Sequence, residues 1–156
     1  MKIIVAAVGR LKPGAERMLV DDYLERAGQA GRALGLGPFA VTEIDERKAR
    51  DRAAQSTRLI EAIPDGAAAI ALDERGKALT SREFAKLLAS LRDSGVDTTA
   101  FLIGGPDGHD DRLRARADRL LSFGPMFWPH MLARVMLAEQ FYRAVSILAG
   151  TPYHRG

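Results

Sequence analysis

The run Ala67-Ala68-Ala69-Ile70-Ala71-Leu72 narrows the folds open to this chain more than any other stretch. It contains no polar residue, so as a strand it has two apolar faces, and both must be covered. The interior of a parallel sheet between two layers of helices provides that cover. Lys2–Val8 reads as another buried strand, ending at Gly9, and Thr98–Ile103 as a third, running into Gly104 and Gly105. Phe39–Ile44 is a strand that alternates, with Phe39 and Val41 to one side.

Between these runs the apolar period becomes that of helices. Ala15–Leu34 gathers Met18, Leu19, Tyr23, Leu24 and Ala27 towards one side, while Gly28, Gly31 and Gly35 weaken its second half. Asp45–Arg58 is the most charged segment and leads into a helix ending near Ile63. Thr80-Ser81-Arg82-Glu83 is a capping box for a helix over Arg82–Leu91. Asp111–Leu121 reads as a helix with Arg112, Arg116 and Arg119 on one face. That stripe suits a solvated face and a phosphate-binding face alike. Alternating strands and helices predict one α/β domain over residues 1–156, with a mainly parallel sheet and helices on both faces.

Composition excludes several classes. With 47% hydrophobic and 28% charged residues the chain is globular. It has no cysteine, hence no disulfide, no thiolate nucleophile and no cysteine-held metal, in keeping with a cytoplasmic protein. His109, His130 and His154 have no metal-ligand spacing, so no metal is expected. The first apolar run is too short for a signal peptide, and nothing approaches the length of a membrane span. A net charge of +3 permits a nucleic-acid partner without requiring one.

The last third carries the chemistry. Ligands in open α/β sheets bind beyond the carboxyl ends of strands. Such ends occur at Leu72-Asp73-Glu74-Arg75-Gly76-Lys77, at Ile103-Gly104-Gly105-Pro106-Asp107-Gly108 and at Phe123–Trp128. The middle one has neither the dinucleotide nor the P-loop glycine spacing, and is open to reading as a tight turn or as a close backbone approach to a ligand. Met131–Ala149 is a helix apolar nearly all round, which suggests a subunit interface and hence a homodimer. Glu139 and Arg143 stand four apart on it, in the order that favours an ion pair. The chain then ends in Pro152-Tyr153-His154-Arg155-Gly156, too polar for core and too aromatic for an idle terminus.

Taken together, Leu72–Lys77, Leu102–Gly108, Pro129-His130, Ala138-Glu139-Gln140-Phe141-Tyr142-Arg143-Ala144 and Pro152–Arg155 resemble the bacterial ribosomal RNA large subunit methyltransferase H family over the full length. That family belongs to the SPOUT class of α/β-knot methyltransferases. The resemblance implies a C-terminal trefoil knot, S-adenosylmethionine as cofactor, a homodimer, and methylation of N3 of a pseudouridine in a 23S rRNA hairpin loop on assembled ribosomes. It also implies cofactor contacts at Leu72, Gly104, Phe123, Gly124, Pro125, Met126, Phe127 and Trp128. Phe127 stands where the family often has a small hydroxyl residue, and Met131 where it has glutamine. In such chemistry the tail is the substrate side. His154 is a candidate base for the N3 proton, Arg155 a stabiliser of the anion or of a phosphate, and Tyr153 a platform for the target base. The rivals are a SPOUT-class tRNA methyltransferase, a silent RNA-binding module of the same fold, and a flavodoxin-like nucleotide binder.

Overall fold

A computed structural model describes residues Met1–Gly156. Its strands are β1 (Lys2–Val8), β2 (Phe39–Ile44), β3 (Ala68–Ala78), β4 (Thr98–Ile103) and β5 (Arg119–Ser122). They form one sheet in the order β2-β1-β4-β3-β5, with every neighbouring pair parallel. The helices are α1 (Ala15–Gly31), α2 (Arg52–Glu61), α3 (Ser81–Asp93), α4 (Asp111–Arg116) and α5 (His130–Ala149). The α/β class with helices on both faces is as the sequence predicts.

Alternation along the strands produces the two layers, because successive side chains point to opposite faces. Ile3, Val5, Ala7, Ile70, Phe101 and Ile103 face one way, where Ala27 of α1, Phe84 and Leu88 of α3, and Leu137 and Phe141 of α5 cover them. Ala6, Val8, Ala69, Ala71, Ala100 and Leu102 face the other way, onto Leu59 of α2 and Leu113 of α4. The first layer is centred on Phe141, whose ring lies 4.9 Å from Phe101 and 5.9 Å from Phe84. Burying an aromatic side chain there is worth about 2–3 kcal/mol.

Local signals decide several boundaries. The capping box forms as its spacing predicts, with Thr80 accepting from the Glu83 N–H and Glu83 accepting from the Thr80 N–H. Asp51 caps α2 by accepting from the Ala54 N–H at 2.7 Å. The glycine-rich end of α1 gives way at Gly31 to a 3-10 turn over Arg32–Leu34.

One expected element is wrong. The helix predicted over Asp111–Leu121 stops at Arg116, and Arg119 lies in β5. Ala117 turns extended, and Asp118 then clamps β3 in both directions. Its N–H donates to the Ala69 carbonyl at 2.8 Å, and its Oδ2 accepts from the Ala69 N–H at 2.7 Å. Pairing with a buried strand outweighs a helical period only a few residues long. The arginine stripe is therefore split, and Arg112 is taken up by Asp110, Thr57 and the Ala53 carbonyl.

Candidate functional site

β3 runs on to Ala78 rather than ending at Leu72 as expected, and the carboxyl ends of β4 and β5 lie level with Leu72, since Ala71 pairs with Leu102 and Leu72 with Leu121. Leu72, Phe123, Gly124, Met126, Phe127 and Trp128 line one small pocket of about 150 Å³ there. Six of the residues expected to hold a cofactor are thus brought together. Pro125 is exposed beside them and outside the lining, and Gly104 is buried one strand away. Gly104 serves the fold-back of its own turn. A Cβ on it would lie 3.2 Å from the Gly108 carbonyl and 3.2 Å from the His109 ring.

The segment after β5 is set up to bind through its backbone. The Ser122 hydroxyl accepts from the Gly124 N–H at 3.0 Å, which turns the chain out of the sheet. Beyond that turn, the N–H groups of Met126, Phe127 and Trp128 make no hydrogen bond within the chain. Their side chains are exposed, Phe127 at 90%. Free amide donors next to apolar side chains suit a ligand with both polar and flat apolar parts. Contacts made through these donors are independent of the side chain at position 127, where Phe127 departs from the family pattern.

Across Leu121–Gly124 lies a second, larger cavity of about 480 Å³. Leu19 and Tyr23 of α1, Leu79, Phe84 of α3, and Val135, Met136, Glu139 and Gln140 of α5 wall it. The tail packs beside it. The Tyr153 hydroxyl donates to Glu139 Oε1 at 3.1 Å, and its ring meets Tyr142 edge-on at 4.5 Å. Arg143 pairs with Glu139 at 2.7 Å, lies over the Tyr153 ring at 4.8 Å, and reaches His154 Nδ1 at 3.1 Å. Arg155 is exposed and unpaired.

These bonds alter the roles expected for the tail. A guanidinium only donates, so His154 Nδ1 must be the acceptor, and the neutral ring carries its proton on Nε2. His154 in this arrangement offers a donor where the sequence suggested a base. Tyr153 is held by Tyr142, by the Arg143 cation and by Glu139, so it anchors the tail. Burial, with the Tyr23 hydroxyl and Glu139 beside it, raises its hydroxyl above the ordinary range and keeps it protonated.

Two ion pairs and one buried histidine behind the site leave no clear sequence signal. Arg134 is wholly buried in α5, where it bonds Glu43 at 2.6 Å and the carbonyls of Val8 and Gly9. Burial alone would raise the Glu43 carboxyl, but the Leu11 N–H and Arg134 outweigh it and hold it low. Asp73, at the mouth of the small pocket, fixes Arg114 of α4 at 2.7 Å. His109 is buried beside them with neither ring nitrogen in a full hydrogen bond. No group of acidic or imidazole side chains gathers as a metal site.

Burial holds His109 below its ordinary value, so the folded protein keeps it neutral. The unfolded chain takes up that proton below about pH 6.5. Stability from this group is present above that pH and is lost as the pH falls. His130 is lowered too, by burial and then by Arg134. Denaturant titrations should show a stability loss from about pH 6.5 downwards. His109→Gln should reduce that slope, and an unchanged slope would assign the titration elsewhere.

Comparison with known proteins agrees in direction. A family model described as predicted SPOUT methyltransferase matches residues 1–154. The chain is 58% identical, over 155 residues and 99% of both chains, to a protein of Dinoroseobacter shibae named ribosomal RNA large subunit methyltransferase H. Proteins of the same name from Maricaulis maris and Ruegeria pomeroyi are 56% and 54% identical, again over 99% of each chain. Among solved structures, a probable methylase family protein from Haemophilus influenzae matches with a TM-score of 0.53. At 12% identity, over 99% of this chain and 70% of that one, it is a likeness of fold alone.

Proposed function

The chain belongs to the SPOUT methyltransferase family, and from that premise we propose that it methylates N3 of a pseudouridine in 23S rRNA on the assembled ribosome. S-adenosylmethionine is the donor in this reading, and its sulfonium supplies an electrophilic methyl group. The observation that carries it is the run of free backbone donors at Met126–Trp128, residues that line one pocket with Leu72 of β3 beyond the end of β5. An adenosyl group fits apolar walls with amide donors at their edge. Gly104 supports the neighbouring turn.

The chain's own part is alignment and charge stabilisation. Arg143 orients His154 through Nδ1, and Glu139 holds Arg143. The Nε2–H then donates to an oxygen of the imide, stabilising the anion left once the N3 proton has gone to water. Arg155 supplies positive charge beside it.

The same reading takes residues 1–156 as one domain working in the cytoplasm, where ribosomes are, and no helix is long and apolar enough to cross a membrane. It includes the C-terminal knot. The family resemblance is what implies that knot, and β3 shifts register on β5 between Leu72 and Lys77, both of which pair with Leu121. It also includes a homodimer. Met18, Leu19, Trp128 and Leu132 stay exposed on α1 and near the start of α5 although α5 is well covered within the chain. Such a patch is stabilised by burial against a second copy. Sedimentation equilibrium at micromolar concentration should give twice the chain mass, and a monomer active on ribosomes would remove the dimer.

The deciding experiment incubates the protein with labelled S-adenosylmethionine and, separately, ribosomes, subunits, free rRNA and tRNA. Label in 23S rRNA at a pseudouridine is the expected product. Label in tRNA would favour the tRNA enzyme, and cofactor binding without transfer the silent RNA-binding module.

A further inference from the structure

The cations left over by the ion pairs are unevenly spread. Lys77 at the end of β3, Lys86 on α3 and Arg119 on β5 are exposed, and none of them joins an ion pair. All three line one surface depression of about 450 Å³, together with Glu83 and Ser90. Glu83 is the only carboxylate there, and it is already engaged in the capping box through the Thr80 N–H at 2.7 Å. That bond, and then Lys77 and Lys86, keep its carboxyl below the ordinary range. It stays ionised and offsets one of the three positive charges.

The fold makes no use of this surplus. A charged residue protects an edge strand such as β5 from stray pairing, but Lys77 and Lys86 lie off that edge. Like charges held together repel, unless an anion offsets them. Arg82, one turn before Lys86 on α3, donates from Nε to the Gly156 carbonyl at 3.0 Å, which ties the end of the tail to the same helix. None of the large exposed apolar residues lies here, so the surface lacks what a membrane or an apolar peptide would need.

We propose that the Lys77–Lys86–Arg119 depression docks backbone phosphates of the RNA substrate, extending contact from the tail along α3 and the rim of β5. The assignment rests on the rRNA methyltransferase reading and adds where the RNA backbone runs. Phosphate contacts of this kind set register and orientation and leave base choice to the site itself. Two compact ammonium groups and one forked guanidinium can each take a phosphate oxygen.

Reversing all three charges, Lys77→Glu with Lys86→Glu and Arg119→Glu, tests this in binding to large ribosomal subunits across a salt series. Affinity near 0.1 M salt should fall on the order of 10- to 100-fold, and the slope of log affinity against log salt should shrink by about 2. Affinity for S-adenosylmethionine and the thermal midpoint should hold. If reversal disturbs the Glu83 cap, the glutamine set at the same positions carries the test. A control reverses Lys2, Arg32 and Arg116, which are exposed and unpaired elsewhere. Equal loss in the control would reduce the effect to net charge and overturn the site. An unaffected triple variant of a protein that methylates rRNA would overturn the site alone. A wild-type protein that binds no ribosomal particle would overturn it together with the function it rests on.

Discussion

Gly76→Ala is expected to cost more than about 3 kcal/mol of stability, out of a total on the order of 5–15 kcal/mol. The added Cβ would lie 2.5 Å from the Leu120 carbonyl carbon and 2.6 Å from the Leu121 nitrogen. Ordinary overpacking is relieved by rotating a side chain, but here the neighbour is the peptide bond of β5 itself. That peptide is paired twice with β3, at Leu72 and at Lys77. Relief therefore moves β5, and with it the run Phe123–Trp128 that lines the small pocket. Cofactor affinity should fall in whatever fraction remains folded. Gly28→Ala is the matched control. It sits inside α1 with nothing within 4 Å of its Cβ position, so it should be neutral or stabilising by up to about 1 kcal/mol. Denaturant midpoints for the two variants settle the matter, and a Gly76→Ala protein within about 1 kcal/mol of wild type would show that the segment around β5 yields.

The position of Gly76 shows what a sequence can and cannot make legible here. Strands β1, β2 and β4 were readable to the residue, because an apolar run in β1 and β4, or alternation in β2, has few other uses. The capping box at Thr80 was readable because four adjacent residues make it. β5 was hidden, since Asp118 and Arg119 continue a plausible helical period and their strand partners lie in β3, some fifty residues earlier. Sequence separation likewise hides the pairing of Arg134 with Glu43, 91 residues apart, and of Asp73 with Arg114, 41 apart. The cofactor run and the tail came from their resemblance to a known family. What the residues could not give was the bond from Arg143 to His154, on which the tautomer depends. Charge, spacing and composition report what a side chain offers, and only the fold reports what has already been taken up.

Deleting Tyr153–Gly156 should leave a folded protein and lower methyl transfer by about three orders of magnitude or more. The segment contributes one ring contact and two hydrogen bonds to α5 and accepts from Arg82 of α3, all near the surface, so its loss costs stability only about 1–2 kcal/mol. The Glu139–Arg143 pair survives within the helix. His154 then divides the explanations. As an Nε2 donor to the imide anion, its replacement in His154→Ala should lower turnover on the order of 10²- to 10³-fold, as loss of one oxyanion donor does elsewhere. His154→Gln retains an N–H at similar reach but has no basic nitrogen, so it should recover at least about tenfold of that loss. If His154 were the base, the glutamine variant would be as poor as alanine, and both would improve at high pH, where the imide ionises unaided. A tail that only positions RNA would show its loss in substrate affinity, with no recovery by glutamine or by pH. A truncated protein as active as the intact one would end all three roles and return the chemistry to the residues around Gly104 and His130.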